Sequence, residues 1–422
     1  MTSRERVVAS LNHKNGDRVA VDFGGTVVSG MHASCVAALR SHYGLKKEPV
    51  KLYEPFQCLG YIEDDLAEII GIDVSDVSGE RTMFGTKNGD WKEWLTPWGQ
   101  TVLVGSDFEV DEKENGEVLI YPQGDRSVSP SGRMPSGGYF FDAIIRQTPL
   151  SEVDDMLSVE DNLEEFSPIS DQTLAFLKKR AEAVHASGRA SVGNFGGTGL
   201  GDVALVPAMN LKNPKGIRDV TEWYVSTVAR KDLVHEIFTR EVDIALENLA
   251  RVQKSFGDKI DAVFICGTDF GTQDSTFCSP DAFLELYKPY YRKVNDWVHA
   301  NTKWKTFKHC CGSIPTFLPL FIEAGFDIMN PVQCSAKGMD PAWLKKEFGR
   351  DLVFWGGGVN TQATLPFGTP AEVRSEVLER LKIFSPDGGF VFNAIHNVQA
   401  KTPLGNIVAM IDAVHEFNGN KN

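Results

Sequence analysis

Five short β-rich runs in the second half of the chain decide the fold: Asp261-Ala-Val-Phe-Ile-Cys266, Lys303-Trp-Lys-Thr-Phe-Lys308, Phe326-Asp-Ile-Met-Asn330, Leu352-Val-Phe-Trp355 and Gly389-Phe-Val-Phe-Asn393. Each run precedes a turn and an amphipathic segment, a pattern typical of β-α units that build a parallel sheet. The helices between the runs have start signals. Ser279-Pro280 precedes a predicted helix over 281–300, Asp340-Pro341 one over 342–348, and Thr369-Pro370 one over 371–383.

Three further strands complete the set. Arg18-Val-Ala-Val-Asp22 and Ala190-Ser-Val-Gly-Asn194 have the same character, and one more strand is expected among residues 50–78. Eight parallel strands predict an α/β protein with a (β/α)8 TIM barrel, in which the active site lies at the carboxyl ends of the strands. A doubly wound open sheet is the alternative. It is disfavoured because no Gly-x-Gly-x-x-Gly follows the first strand.

Residues 80–150 interrupt the β-α alternation. Apolar and polar residues there alternate with period two around Gly-containing turns, which predicts an inserted antiparallel β-meander. Gly, Pro and Ser cluster over 127–138, so we expect the insertion to end in a mobile loop. The predicted organisation is an N-terminal part of the barrel at 1–79, the meander and loop at 80–150, and the rest of the barrel, with the candidate metal ligands, at 151–422.

The composition is that of a globular protein. Of the 422 residues, 42 % are hydrophobic and 24 % are charged, which excludes the disordered and collagen-like classes. The net charge of −14 and the lack of a long basic cluster disfavour binding to nucleic acid. Seven irregularly spaced cysteines predict a reducing cytoplasm rather than a secreted disulfide framework. The charged N-terminus and the absence of a run of about 18 apolar residues disfavour secretion and membrane insertion.

A pair of soft metal donors follows the second of the five runs. His309 and Cys311 are two residues apart, so extended backbone places both side chains on one face at the barrel rim. Neutral imidazole and thiolate are the donors that zinc prefers. His396 and Cys334 each follow another strand, and either one would supply a third ligand. The competing interpretation is a chance His-x-Cys pair with a buried, structural cysteine.

Five other polar side chains are candidates for the same rim. Asp269 follows a strand and is a candidate catalytic residue, with helix capping or loop bracing as the alternative. Gln273, Gln333 and Asn360 also follow strands and are candidates for substrate binding, although amides commonly satisfy loop backbones. His32, in the loop after the first strand, is a weaker substrate-binding candidate because a buried histidine bonded to backbone is the commoner case.

Several segments resemble the uroporphyrinogen decarboxylase superfamily: Thr2-Ser-Arg-Glu-Arg-Val-Val-Ala-Ser-Leu-Asn12 followed by Asp17-Arg18-Val19, His309-Cys310-Cys311-Gly312, and Thr402-Pro403 before Asn406-Ile407. In motif the chain is most similar to the zinc-dependent methyltransferases of that superfamily, which exchange methyl groups with a corrinoid protein. The resemblance implies that His309 and Cys311 are zinc ligands. It also places His396 where that family has a later ligand cysteine.

The resemblance implies a transferase that moves a methyl group between a small thiol, methoxyl or amine substrate and a corrinoid carried by a partner protein. Porphyrinogen decarboxylation is disfavoured, because the loop over 22–32 lacks the arginines that would bind a polycarboxylate. A decarboxylase with a non-porphyrin substrate is the main alternative, followed by a zinc hydrolase with Asp269 as base and by a non-catalytic binding protein. The substrate, the direction of transfer and the formation of a homo-oligomer are left open.

Overall fold

The structure, a computed structural model, describes residues 1–147, 150, 157–196 and 198–419. Its strands are β1 (Ala20–Val21), β2 (Val50–Glu54), β3 (Leu59–Gly60), β4 (Val74–Ser78), β5 (Lys92–Leu95), β6 (Thr101–Val104), β7 (Val110–Glu112), β8 (Val118–Ile120), β9 (Gly132–Met134), β10 (Asp142–Ala143), β11 (Ala190–Asn194), β12 (Ala262–Cys266), β13 (Lys305–His309), β14 (Ile328–Asn330), β15 (Val353–Trp355) and β16 (Phe390–Phe392). Its α-helices are α1 (Ser3–Leu11), α2 (Ala33–His42), α3 (Asp64–Ile70), α4 (Asp171–Ser187), α5 (Val220–Ala229), α6 (Lys231–Phe256), α7 (Pro280–Leu286), α8 (Lys288–Asn301), α9 (Leu318–Glu323), α10 (Pro341–Phe348), α11 (Thr364–Phe367), α12 (Pro370–Phe384) and α13 (Leu404–Phe417).

Eight parallel strands form the barrel. They follow the order β1-β16-β15-β14-β13-β12-β11-β4. This confirms the predicted (β/α)8 TIM barrel, and the strand expected among residues 50–78 is β4. In such a barrel the carboxyl ends of all strands lie at the same face, which is where side chains that follow the strands converge.

Asp73 closes the barrel between its first and last members, β1 and β4. The Asp73 N–H donates to the Val21 carbonyl at 2.8 Å, and the Val21 N–H donates to the Asp73 carboxylate at 3.0 Å. The carboxylate is fully buried and also binds the guanidinium groups of Arg6 at 2.6 Å and Arg18 at 2.9 Å. A buried carboxylate needs such partners because its desolvation is costly. The two arginines therefore stabilise the closing contact.

Helix α1 covers the amino-terminal face of the barrel. Its Val7 and Leu11 belong to the same buried cluster as the interior side chains Phe307 and Trp355. Arg4 of α1 binds Asp261, the residue before β12, at 2.9 Å. Because this face is covered, the carboxyl ends of the strands are the face on which a site is expected.

The predicted helix starts coincide with observed caps. The side chains of Ser279, Asp340 and Thr369 accept backbone N–H groups at the starts of α7, α10 and α12. The prediction of one helix over 281–300 is wrong, since α7 and α8 are separate helices that meet at Tyr287. Pro289 explains the break because it has no N–H to continue the bonding of the preceding turn. Within the described ranges, no helix has the length and apolar character needed to cross a membrane.

The insertion contains an antiparallel meander, as predicted, formed by β7 to β10, and it also contributes β5 and β6 to a second small sheet. One sheet is fully antiparallel in the order β10-β9-β8-β7, and the other has the order β3-β2-β6-β5 with a parallel β2–β6 pair. The expected loop over 127–138 includes a strand, β9. At its first residue, Gly132, a Cβ atom would lie 2.7 Å from the ring of Phe84, so this glycine allows close packing. From the sequence alone, a glycine that allows close packing within a strand could not be distinguished from a glycine that marks a loop.

Candidate metal centre

Three candidate metal donors meet at the carboxyl end of the barrel. β13 ends at His309, Cys311 lies two residues further, and His396 lies in the loop after β16. The ligand atoms of the three side chains all lie within 4.8 Å of one another. Because β14 and β15 separate β13 from β16, it is the loop after β16 that brings His396 to the pair.

His309 is held by a buried amide. Its Nδ1 lies 2.6 Å from Oδ1 of Asn330, whose Nδ2 donates to the Trp355 carbonyl at 2.9 Å. Since the Asn330 oxygen faces the ring, Nδ1 carries the imidazole hydrogen and the Nε2 lone pair is free. That Nε2 lies 3.4 Å from the Cys311 sulfur. Burial lowers the pKa of His309 to about 4, so the ring is neutral and able to bind a cation near pH 7.

Cys311 is fixed through its backbone and shares its surroundings with Asp269. The Cys311 N–H donates to Oδ1 of Asp269 at 2.6 Å. Burial, with Asp269 as the second cause, raises the pKa of the Cys311 thiol well above its usual range. Gly312 turns the chain here with a φ of +92°, and a Cβ on it would lie 2.4 Å from the carbonyl carbon of Gly271. Only glycine fits this approach of the two loops.

The ring of His396 is held by the backbone N–H of Asn397. The His309 and His396 ring centroids are 5.4 Å apart, and the rings are inclined at 74°. Burial lowers the pKa of His396 to about 3, so this ring is also neutral. Its Nδ1 accepts the Asn397 N–H at 2.8 Å, which places the hydrogen of the neutral ring on Nε2. Binding a cation through Nε2 therefore requires a tautomer change that His309 does not need.

Asn397 connects this loop to the segments that follow β1 and β2. Its Oδ1 accepts the Gly30 N–H at 2.6 Å, and its Nδ2 donates to Oε1 of Gln57 at 2.8 Å and to the Val27 carbonyl at 3.0 Å. The residue is fully buried. The position of His396 thus depends on residues more than 330 positions earlier in the chain, which a sequence motif does not reveal.

Cys334 lies apart from the three donors. Among the residues that the structure describes, the group that meets the distance requirement contains His396 and not Cys334. The charged side chains that act on the Cys334 thiol are Arg380, Glu376 and Asp340, on or near α10 and α12. The structure therefore favours His396 over Cys334 as the third donor.

The amide candidates for substrate binding are engaged in loop contacts. Gln333 accepts the Gly312 N–H at 2.7 Å and donates to Oε1 of Gln273 at 3.1 Å. Gln273 in turn donates to the Ser335 carbonyl at 2.5 Å. Asn360 accepts the N–H of Gln362 at 2.8 Å within its own loop. Substrate binding by these amides stays a prediction, and in the structure they brace the rim.

His32 lies beneath the insertion. It caps α2, its Nδ1 lies 2.7 Å from the Ser34 hydroxyl, and its Nε2 lies 3.0 Å from the Tyr139 carbonyl. The ring also packs against Trp98, with centroids 5.1 Å apart. Burial lowers the pKa of His32 to about 4. These contacts match the structural alternative for His32, and its role in substrate binding stays a prediction.

Sequence reasoning missed a small cavity inside the same end of the barrel. Its lining includes Tyr53 and Phe264 together with Asp76 on β4. The Asp76 carboxylate accepts the Ser78 hydroxyl at 2.5 Å and is paired with Arg180. The sequence does contain a signal for this cavity, because Asp76 is an acidic residue within a barrel strand. The position of β4 could not be predicted closely enough to single out Asp76.

Comparisons with known proteins agree with this architecture. The family model for uroporphyrinogen decarboxylase (URO-D) matches residues 208–417. A uroporphyrinogen decarboxylase of Actinobacillus succinogenes is 32 % identical over 89 residues, and this match spans 20 % of the chain and only 24 % of that enzyme. The solved structure of a methyltransferase from Methanosarcina mazei covers 99 % of both chains with a TM-score of 0.55 and 14 % identity, which shows a shared fold. The family match over residues 208–417 supports placing this chain in the uroporphyrinogen decarboxylase superfamily.

Proposed function

We propose that this chain is a zinc-dependent methyltransferase that moves a methyl group between a small thiol, methoxyl or amine substrate and a corrinoid on a partner protein. One observation carries the proposal: the ligand atoms of His309, Cys311 and His396 lie within 4.8 Å of one another at the carboxyl end of the barrel. The likeness in fold to a solved methyltransferase supports it.

The donor set fits a catalytic zinc ion. Two imidazoles and one thiolate are zinc ligands, and three protein ligands leave one position open for a substrate atom, as in catalytic rather than structural zinc sites. The amide behind His309 fixes the ring as the partners of zinc-bound histidines do. A cation at this point would also offset the cost of a buried Cys311 thiolate.

The chain's own residues would orient the substrate and hold a proton. Bound zinc would act as a Lewis acid toward the heteroatom that gains or loses the methyl group. Asp269 uses Oδ1 to accept the Cys311 N–H, so Oδ2 is available to accept a proton from that thiol or from a substrate heteroatom. Burial raises the pKa of Asp269, which makes its carboxylate a better proton acceptor.

A corrinoid is a large cofactor, so a chain that uses one either binds it through a motif of its own or receives it on a partner protein. The sequence has no Asp-x-His-x-x-Gly motif for binding a corrinoid itself. We therefore propose that a separate corrinoid protein docks over the open end of the barrel.

Decarboxylation of a non-porphyrin substrate is the second candidate. The family match over residues 208–417 favours it. The loop that follows β1 argues against a polycarboxylate, because residues 23–32 contain no arginine or lysine to bind acidic groups. A decarboxylase of this kind would turn over substrate without zinc and without a corrinoid protein.

Elemental analysis of purified protein tests the proposal. We expect one zinc per chain in the wild type and its loss in both His309→Ala and Cys311→Ala. Cys334→Ala is the matched control and should retain zinc, since Cys334 lies outside the group of donors. A metal-free wild-type protein, after purification without chelators and incubation with zinc, would exclude the proposed centre.

A further inference from the structure

Lys308 is a buried lysine directly beside the proposed metal centre. It lies in β13 immediately before His309, and none of its surface is exposed. Its neighbour Phe307 belongs to the cluster inside the barrel, so the alternation of the strand turns Lys308 outward, toward the helices. Lysine is almost never fully buried unless it is paired, so its partners indicate what it does there.

The partners of Lys308 are two carbonyl groups and three aromatic rings. Its Nζ donates to the Thr268 carbonyl at 2.5 Å and to the His309 carbonyl at 2.6 Å. It also lies 5.3 to 5.7 Å from the centroids of the rings of Phe270, Tyr291 and Phe321. The rings stabilise a cation through their faces, but an apolar side chain would pack there equally well. The carbonyl contacts are what an apolar side chain could not make.

The two carbonyls belong to different strand ends. Thr268 immediately precedes Asp269 in the loop after β12, whereas His309 ends β13 and is a candidate ligand. A second bond joins the same two segments, because the Cys311 N–H donates to Asp269. Lys308 therefore ties the segment that carries Asp269 to the segment that carries His309 and Cys311. Its positive charge also acts on Asp269 and on the Cys311 thiol.

We propose that Lys308 is a positioning residue of the metal centre, which holds the Asp269 segment against the end of β13 and so sets the place of Asp269 relative to His309 and Cys311. This inference rests on the zinc site of the proposed function. Lys308 itself does not contact the metal or the substrate in this account, because its side chain points away from the barrel interior.

The test compares zinc and cobalt binding in Lys308→Met, Lys308→Gln and the wild type. Methionine fills the aromatic cage without donating to either carbonyl, and glutamine keeps one donor group. Zinc affinity is measured by competition with a chromogenic chelator, and ligand geometry by the absorption bands of the Co²⁺-loaded protein. We expect affinity about 10- to 100-fold weaker in the methionine variant, an intermediate value for glutamine, and shifted cobalt bands in both.

Lys305→Met is the matched control, because Lys305 lies on the same strand but is part-exposed and pairs with Asp327 at 3.4 Å. It should bind both metals like the wild type. In an Asp269→Asn background, Lys308→Met should cost less zinc affinity than in the wild type, since the position of residue 269 then matters less.

Each outcome decides between the two proposals. If the wild type binds no zinc, the proposed function fails and takes this inference with it. If the wild type binds zinc and Lys308→Met matches it in affinity and cobalt spectrum, only the role of Lys308 is overturned. If neither Lys308 variant folds even with excess zinc, the lysine serves the barrel itself, and that result also overturns the positioning role.

Discussion

Asn330 offers a sharp test because it connects the stability of the barrel to the metal centre. Asn330→Ala leaves two buried groups without partners, Nδ1–H of His309 and the carbonyl of Trp355. Each such group costs about 1–3 kcal/mol, so the free energy of unfolding should fall by about 2–6 kcal/mol. The His309 ring also loses the contact that sets its tautomer, and zinc affinity should fall about 10- to 100-fold.

Asn330→Asp separates these two effects. A carboxylate keeps an acceptor for His309 but loses the donor to the Trp355 carbonyl. We expect a loss of about 1–3 kcal/mol in stability, measured by urea unfolding, with zinc affinity within a few-fold of the wild type.

Asn406→Ala is the control for the Asn330 variants. Asn406 is equally buried and donates to the carbonyls of Leu365 and Gly368, both at 2.8 Å, with no contact to the three donors. It should destabilise the fold and leave zinc affinity unchanged. If Asn330→Asp loses as much zinc affinity as Asn330→Ala, or if the Asn406 variant loses it too, the Asn330 contact does not set the tautomer of His309.

Three further predictions concern barrel closure, a buried acid and the third donor. Asp73→Ala should lower the free energy of unfolding by about 3–5 kcal/mol, because the guanidinium groups of Arg6 and Arg18 then lose the buried carboxylate with which they pair. Asp64→Ala removes an exposed pair with Arg189 and should change little in the same chemical denaturation; equal losses would contradict the closing role of Asp73. Burial raises the pKa of Glu241 to about 8 from 4.5; the folded state then holds this proton more tightly than the unfolded chain, so the contribution of Glu241 to stability falls as pH rises from about 5 to 8. Glu241→Gln removes this titration, so the decrease in the free energy of unfolding between about pH 5 and pH 8 should be smaller by a few kcal/mol than in the wild type. An equal decrease in both proteins would contradict the raised pKa of Glu241. His396→Cys should bind zinc more tightly in the chelator competition, because a thiolate needs no tautomer change. Weaker binding would show that the tautomer change of His396 does not limit zinc affinity.

The strands of the barrel could be predicted because β-α alternation is a local signal. The five runs of the second half and β11 were each located to within two residues. β4 was not, because residues 50–78 contain two alternating runs, and the first of them, β2, pairs with β6 in an outer sheet. That choice depends on contacts distant in sequence, as does the division of the insertion into two sheets.

The candidate site was predictable only in part. A strand end fixes the direction of His309 and Cys311, so the pair follows from spacing alone. The choice between His396 and Cys334 needs the path of each loop across the barrel mouth. Lys308 could not be singled out from the sequence, because a lysine has no distinctive pattern until its partners are known.

X-ray absorption at the zinc edge of the wild-type protein, loaded with one zinc per chain, tests the central claim most directly. We expect one sulfur at about 2.3 Å and two imidazole nitrogens at about 2.0–2.1 Å, with the sulfur absent from Cys311→Ser. A spectrum without sulfur, or one with two sulfurs, would contradict a centre built from His309, Cys311 and His396.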